Sequence, residues 1–213
     1  MKRNPIVNAA SLLACLALTA GVTGCSVHVD KDANGKEKNV QIDTPFGRIH
    51  VNTDKTTAAD LGLPVYPGAQ LVKDSDNPKS ADVHMGFGEW ELRVRAVSYE
   101  TPDKQDEVAA FYKKALGRYG NVISCQDGKA IGTPVTTKEG LGCYDNSHVN
   151  VNAGTDGHSY GYHSTGAGLE LKAGSERHQH IVGFESSAPG GTRFALVALD
   201  LPSEVNDNEG RSD

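Results

Sequence analysis

The sequence predicts an α+β fold, with a mainly antiparallel sheet of about five to seven strands covered on one face by a single helix. Residues 90–99 supply the first observation, since their apolar and charged side chains alternate as in a half-buried antiparallel strand. The second observation is the helical spacing of apolar side chains that follows directly. The alternating positions of the strand are Trp90, Leu92, Val94 and Ala96 on one side, and Glu91, Arg93 and Arg95 on the other.

The helix is predicted to begin with Thr101 as its N-cap and Pro102 at its first position. Acidic residues follow near its start and basic residues near its end, as the helix dipole favours. Gly117 and Gly120 are expected to end it. Its apolar face is narrow, so the helix should cover one side of a sheet: Val108, Phe111, Tyr112, Ala115 and Leu116.

A hairpin at residues 38–53 is expected to precede the main domain. Aliphatic residues alternate with polar ones on both sides of Thr44-Pro45-Phe46-Gly47. Pro at the second position and Gly at the fourth favour a type I turn. Because an isolated hairpin is marginally stable in water, it should dock on the main domain or on a partner.

The remaining strands are short apolar runs bounded by turn residues. Residues 194–199 are apolar on both faces, so the last strand should be central in the sheet. The predicted strands lie at residues 69–72, 81–87, 121–126, 168–173, 177–185 and 193–201.

The start of the sequence has the pattern of an export signal. Lys2 and Arg3 precede an apolar run at residues 9–20, and small residues lead to Cys25. The run is too short for a transmembrane helix, which needs about 20 apolar residues. We expect residues 1–24 to be a cleaved signal; the alternative is a short N-terminal membrane anchor that is never cut.

Val22-Thr23-Gly24-Cys25 resembles the lipobox of bacterial lipoproteins. The resemblance implies cleavage before Cys25 and acylation of its sulfur, with palmitate among the expected chains. Two or three acyl chains anchor a protein stably, whereas one binds only marginally. Ser26, being a residue other than Asp, implies the outer membrane where a cell has two membranes. The expected location is therefore the cell envelope, facing the periplasm or the cell exterior.

A second likeness covers the entry into the main domain and its helix. Tyr66-Pro67-Gly68-Ala69, a strand, Thr101-Pro102-Asp103 and the helical segment up to Tyr112 are similar to a recurrent pattern in uncharacterised envelope lipoproteins of bacteria. No activity is attached to that pattern.

The length of the sequence predicts one domain joined to the membrane by a short tether. After the signal we expect a tether at 25–37, the hairpin, a linker at 54–62, an α+β domain at 63–201 and a disordered tail at 202–213. The formal net charge is −6, and loss of Lys2 and Arg3 with the signal makes the remainder more acidic. An acidic chain has no electrostatic attraction for nucleic acid or anionic lipid, so membrane contact should come through the N-terminal lipid.

Cys125 and Cys143 are 18 residues apart and are expected to form a disulfide. The rival interpretation is a pair of metal ligands, but the spacing fits no short Cys-x-x-Cys element. The bond would close a Gly- and Thr-rich loop and stabilise the fold by about 3 kcal/mol.

Histidines supply the one unusual chemical feature of the sequence. His178 and His180 are two apart on a predicted strand, hence on one face, and His158 and His163 lie in a Gly/Ser/Tyr-rich stretch. Together they could hold zinc or copper, which take three or four such ligands. The alternative is that they are solvated, and no cofactor is then expected.

Gly157-His158-Ser159-Tyr160-Gly161 has the spacing of a Gly-x-Ser-x-Gly motif. The sequence has no phosphate-binding loop, His-Glu-x-x-His or dinucleotide fingerprint. This favours a non-catalytic binding or assembly module of the envelope with a protein partner. A metal-binding lipoprotein and an envelope hydrolase are the two alternatives.

Overall fold

The computed structural model describes residues 25–31, 37–72, 79–143, 168–185 and 190–202. Within them lie eleven strands and one α-helix. They are β1 (Ser26–Lys31), β2 (Glu37–Thr44), β3 (Gly47–Thr53), β4 (Gln70–Leu71), β5 (Ser80–Phe87), β6 (Trp90–Thr101), α1 (Gln105–Leu116), β7 (Ile123–Gln126), β8 (Lys129–Ala130), β9 (Leu169–Gly174), β10 (His178–Phe184) and β11 (Thr192–Asp200).

The strands form one antiparallel sheet in the order β1-β2-β3-β5-β6-β11-β10-β9-β7-β8, and β4 pairs separately with β6. The α+β class with one helix is confirmed, and β11 is central as expected, between β6 and β10. The expected number of five to seven strands is wrong. The hairpin β2–β3 joins the main sheet through β5, and β1 and β8 add strands where the sequence predicted a tether and irregular chain.

The helix α1 packs on one face of this sheet, here called the helix face. Its apolar side chains contact alternate residues of the central strands. The buried members of this core include Val97, Tyr99, Val182, Phe194 and Leu196 from the sheet, with Val108, Tyr112 and Leu116 from α1. The other residues of the same strands, such as Val94, Val197 and Ile181, form a second core on the opposite face. The central strands are therefore buried on both faces.

The start of α1 differs from the sequence prediction. Lys104, not Thr101, is the N-cap residue. Thr101 is still part of β6, where it pairs with Thr192, and the Thr192 hydroxyl donates a hydrogen bond to the Asp103 carbonyl at 2.7 Å. Pairing with β11 keeps Thr101 extended, so the helix begins later. Its end after Leu116 and the Gly120 positive φ of 123° agree with the prediction.

A short 3₁₀ helix, Ala58–Leu61, lies inside the segment predicted to be a linker. The Asp60 carboxylate accepts hydrogen bonds from the Thr57 backbone N–H and hydroxyl at 2.8 and 2.7 Å, which lowers the pKa of Asp60. Ala58 and Leu61 are buried in the helix-face core. This segment is therefore part of the core rather than a free connection.

The predicted signal, residues 1–24, and most of the predicted tail, residues 203–213, lie outside the described residues. Pro202, the first residue of the predicted tail, is buried.

The Cys125–Cys143 disulfide is present. Both cysteines are buried beside Ile123 at the β7 end of the sheet. The loop that they close has more packing than its composition indicates, because Leu141 is fully buried and its backbone N–H donates to the Thr137 hydroxyl at 3.0 Å. A disulfide of this kind is typical of proteins outside the cytoplasm.

Candidate functional site

Beyond the end of α1, the helix face of the sheet carries a continuous row of polar side chains. Register pairing across seven neighbouring strands places one residue from each strand side by side. Adjacent strands lie about 4.8 Å apart, so six steps span about 29 Å. We call this the polar row: His28, Gln41, His50, His84, Arg93, Asp200 and His178.

A second row runs beside it, two residues further along each strand. It is polar except at Ala198: Asp30, Asn39, Asn52, Asp82, Arg95, Ala198 and His180. Both rows contain opposite charges in neighbouring positions. The result is a mixed, hydrogen-bonded surface rather than a field of one sign.

Alternation along the strands creates these rows. Three strands contain a histidine between two apolar residues: Val27-His28-Val29, Ile49-His50-Val51 and Val83-His84-Met85. Successive side chains of a strand point to opposite faces. The apolar neighbours therefore face the second core, where Val51 and Val83 are buried, and each histidine is directed to the helix face.

Arg93 and Arg95 organise the centre of the site. Arg93 makes a bidentate contact with Asp82, with Nε to Oδ1 at 3.0 Å and Nη2 to Oδ2 at 2.7 Å. This hydrogen-bonded pair raises the pKa of Arg93. Arg95 donates to the Asp60 carbonyl at 2.5 Å and to Asp200 at 3.3 Å. Fixed charges of this kind hold their geometry better than single exposed ion pairs.

The histidines of β1, β3 and β5 have carboxylate neighbours. His84 Nε2 lies 2.5 Å from Glu91 Oε1, and His28 Nε2 lies 3.1 Å from Asp30 Oδ1. The rings of His50 and His84 meet edge to face, with centroids 6.5 Å apart.

A shallow depression lies where β1, β2 and β3 meet. It is lined by His28, Asp30, Asn39, Val40, Gln41, His50 and Asn52. Two polar atoms of this lining, Asn39 Oδ1 and His50 Nε2, are buried and have no hydrogen-bond partner among the described residues. Buried polar atoms are almost always paired in folded proteins. Arg95 Nε and His180 Nδ1 in the second row are likewise buried without a partner among the described residues, so unpaired polar atoms lie both in the depression and on β6 and β10.

The structure places His178 and His180 on one face of β10, as predicted, and adds them to the two rows. His178 is exposed, and its Nδ1 lies 2.9 Å from Asp200 Oδ1. His180 is half-buried and stacks on Tyr119 with ring centroids 3.6 Å apart. Burial, followed by the nearby Arg95 charge, lowers the pKa of His180.

The predicted metal site cannot be assembled from these two histidines alone. His158 and His163 lie outside the described residues. Among the residues that are described, no group of three or more His, Cys, Asp or Glu side chains is arranged to hold a metal ion. The four-histidine site stays a prediction.

His180 should make stability depend on pH. In the unfolded chain a histidine takes up a proton near pH 6.5, whereas the buried His180 resists it. The unfolded state then binds more protons, so the free energy of unfolding should fall as the pH drops below about 6.5. We expect His180→Phe, which can keep the Tyr119 stack, to lose less stability than the wild type between about pH 7.5 and 5. Urea unfolding at both pH values measures this, and an equal loss in the two proteins would contradict it.

Sequence reasoning did not assign His28, His50 or His84 to a site. Each of the three strands contains an apolar-His-apolar triplet that the sequence shows, but only the strand order brings the three histidines together.

Cys25, the predicted lipidation residue, is exposed and carries no disulfide. In the parts of the chain described here, no helix is both long and apolar enough to cross a bilayer.

Comparison with protein-family models, with curated proteins and with solved structures finds no match for this chain.

Proposed function

We propose that this protein is a lipid-anchored, non-catalytic binding module of the bacterial cell envelope, with the polar row as its recognition surface. The observation that carries the proposal is the register of the row, in which seven strands each present a polar side chain to the same open surface. The lipobox resemblance at Cys25 and the disulfide support the envelope location.

The shape of the surface favours a protein as the partner. Small-molecule sites are usually concave and mostly apolar. The row is instead about 29 Å long, lies on an open sheet and combines four histidines with one glutamine, one arginine and one carboxylate. Electrostatic complementarity of this kind contributes mainly to specificity and association rate. An envelope protein with a matching mixed-charge surface fits this description.

Photo-crosslinking in intact cells tests the recognition surface. A crosslinking residue at His84, inside the polar row, is expected to capture a defined envelope protein. The same residue at Lys113, which is exposed on α1, serves as the matched control and should not capture that protein. The combined change Arg93→Gln and Asp82→Asn, which removes both charges of the central pair together, should weaken the His84 product.

Two outcomes would count against the proposal. Identical products from His84 and Lys113 would mean that the polar row is not the contact surface. The anchor is tested in the same cells with a labelled fatty acid, which should enter the wild-type chain and be absent from Cys25→Ala. Equal labelling of both proteins would reject acylation at Cys25.

A further inference from the structure

The strand β1 forms one edge of the sheet, and its outer side has no strand partner among the described residues. All six of its residues are exposed, and even its apolar residues Val27 and Val29 retain 64% and 36% of their accessible surface. An exposed edge strand offers a row of unpaired backbone N–H and C=O groups to another chain. The features that usually protect such an edge are confined to the far end of β1, where the charged residues Asp30 and Lys31 lie and the register with β2 shifts between them.

The sequence of β1 is complementary to itself. In an antiparallel pair, directly opposed residues lie on the same face of the sheet. If Val29 lies opposite Val29 of a second copy, His28 lies opposite Asp30 of that copy, and the reverse pair forms by symmetry. On the polar face each His28, which lies 3.1 Å from Asp30 of its own chain, then also faces Asp30 of the other copy. On the apolar face the two Val29 side chains meet, and each Val27 lies opposite Lys31 of the other copy.

We propose that two copies of this chain associate through their β1 edges in this register. The interface is isologous, which is the commonest arrangement in homodimers. Centring the pair on His28 instead would place Val27 opposite Val29, but it would set histidine opposite histidine and Asp30 opposite Ser26, so no oppositely charged pair type would cross the interface. In the proposed register the polar row of one copy continues onto the sheet of the second.

Single cysteines distinguish these registers in the full chain carrying Cys15→Ala and Cys25→Ser, so that the introduced thiol is the reporter and Cys125 and Cys143 stay in their disulfide. With Val29 opposite Val29, their Cα atoms lie about 4.5–5.5 Å apart, within the range that a disulfide can bridge. The two residues at position 28 are then offset by two residues along the strands, about 8 Å apart, and cannot be bridged. We therefore expect a covalent dimer from Val29→Cys after mild oxidation, and little from His28→Cys, as read on non-reducing gels.

A charge exchange gives the second test. In the Val29→Cys background, Asp30→Lys places lysine opposite His28, and His28→Glu places glutamate opposite Asp30. Each single change should lower the crosslinking yield by about two- to fivefold. The combined His28→Glu and Asp30→Lys change restores opposite charges across the interface and should return the yield. Unfolding midpoints of the variants should stay close to the wild type, because β1 is fully exposed.

Three results would overturn the proposal. The first is a dominant dimer from His28→Cys, which requires the other register. The second is a monomeric mass for the wild-type chain in sedimentation together with no crosslink from Val29→Cys. The third is a Val29→Cys crosslink to a different protein, which would make β1 the docking edge for that protein.

Discussion

Tyr112→Ala is expected to lower the free energy of unfolding by about 3–5 kcal/mol. Tyr112 is fully buried, and its ring packs against Phe194 and Phe111 with centroids 5.4 and 5.0 Å away. Truncation removes the largest fully buried side chain at the contact between α1 and the sheet. It also leaves a cavity there, since surrounding side chains relax only in part.

The hydroxyl of Tyr112 has a separate structural role. It donates to the Pro64 carbonyl at 3.1 Å and accepts from the Tyr66 backbone N–H at 3.1 Å. Burial raises the pKa of Tyr112, so the hydroxyl keeps its proton and can make both bonds. Tyr112→Phe keeps the ring and should cost about 1–3 kcal/mol, because two backbone groups lose their partner.

Urea unfolding of the three proteins measures both effects. Phe46→Ala is the matched control, because it also truncates an aromatic ring but at a position that is 85% exposed in the β2–β3 turn. We expect a change within about 0.5 kcal/mol there. A loss for Phe46→Ala as large as that for Tyr112→Ala would refute the assignment of Tyr112 as the anchor between helix and sheet.

Local patterns predicted much of this core. The apolar spacing of Val108, Tyr112 and Leu116 identified the buried face of α1, and the two-sided apolar run at residues 194–199 identified a central strand. Both signals are local, since side-chain periodicity follows from backbone geometry alone. The start of α1 was missed because its cause is not local: pairing with Thr192, far along the chain, keeps Thr101 extended.

The candidate site depends even more strongly on pairing between strands that are far apart in the sequence. Each apolar-His-apolar triplet predicts only that the histidine side chain and its two apolar neighbours point to opposite faces of the sheet. His28, His50 and His84 share a row with Arg93 and His178 only because of the strand order and the register of six strand pairings. Register is fixed by the buried pattern of all strands together, and no single strand contains that information. The edge strand β1 was missed for a related reason, because its alternation gains meaning only from the pairing with β2.

Replacing both Cys125 and Cys143 by Ala should lower the free energy of unfolding by about 3 kcal/mol, because a crosslink across 18 residues restricts the unfolded chain. Reduction of the wild type should give the same loss, and the reductant should leave the double variant unchanged. Urea unfolding with and without reductant provides the comparison. An unchanged midpoint on reduction, with free thiols confirmed by mass spectrometry, would contradict this expectation.

The structure also predicts which part of the domain is destabilised when the disulfide is removed. The closed loop is held to the sheet by the disulfide and by buried Leu141, whose backbone pairs with Thr137. Without the bond, the loop keeps the buried side chain of Leu141, and Ile123 loses the cysteine sulfurs that pack on it. Limited proteolysis of the double variant should therefore cut within residues 127–142 before it cuts α1 or the central strands, because regions with few apolar contacts open first. Cleavage that begins equally in both regions would show that the bond stabilises the whole domain rather than this end of the sheet.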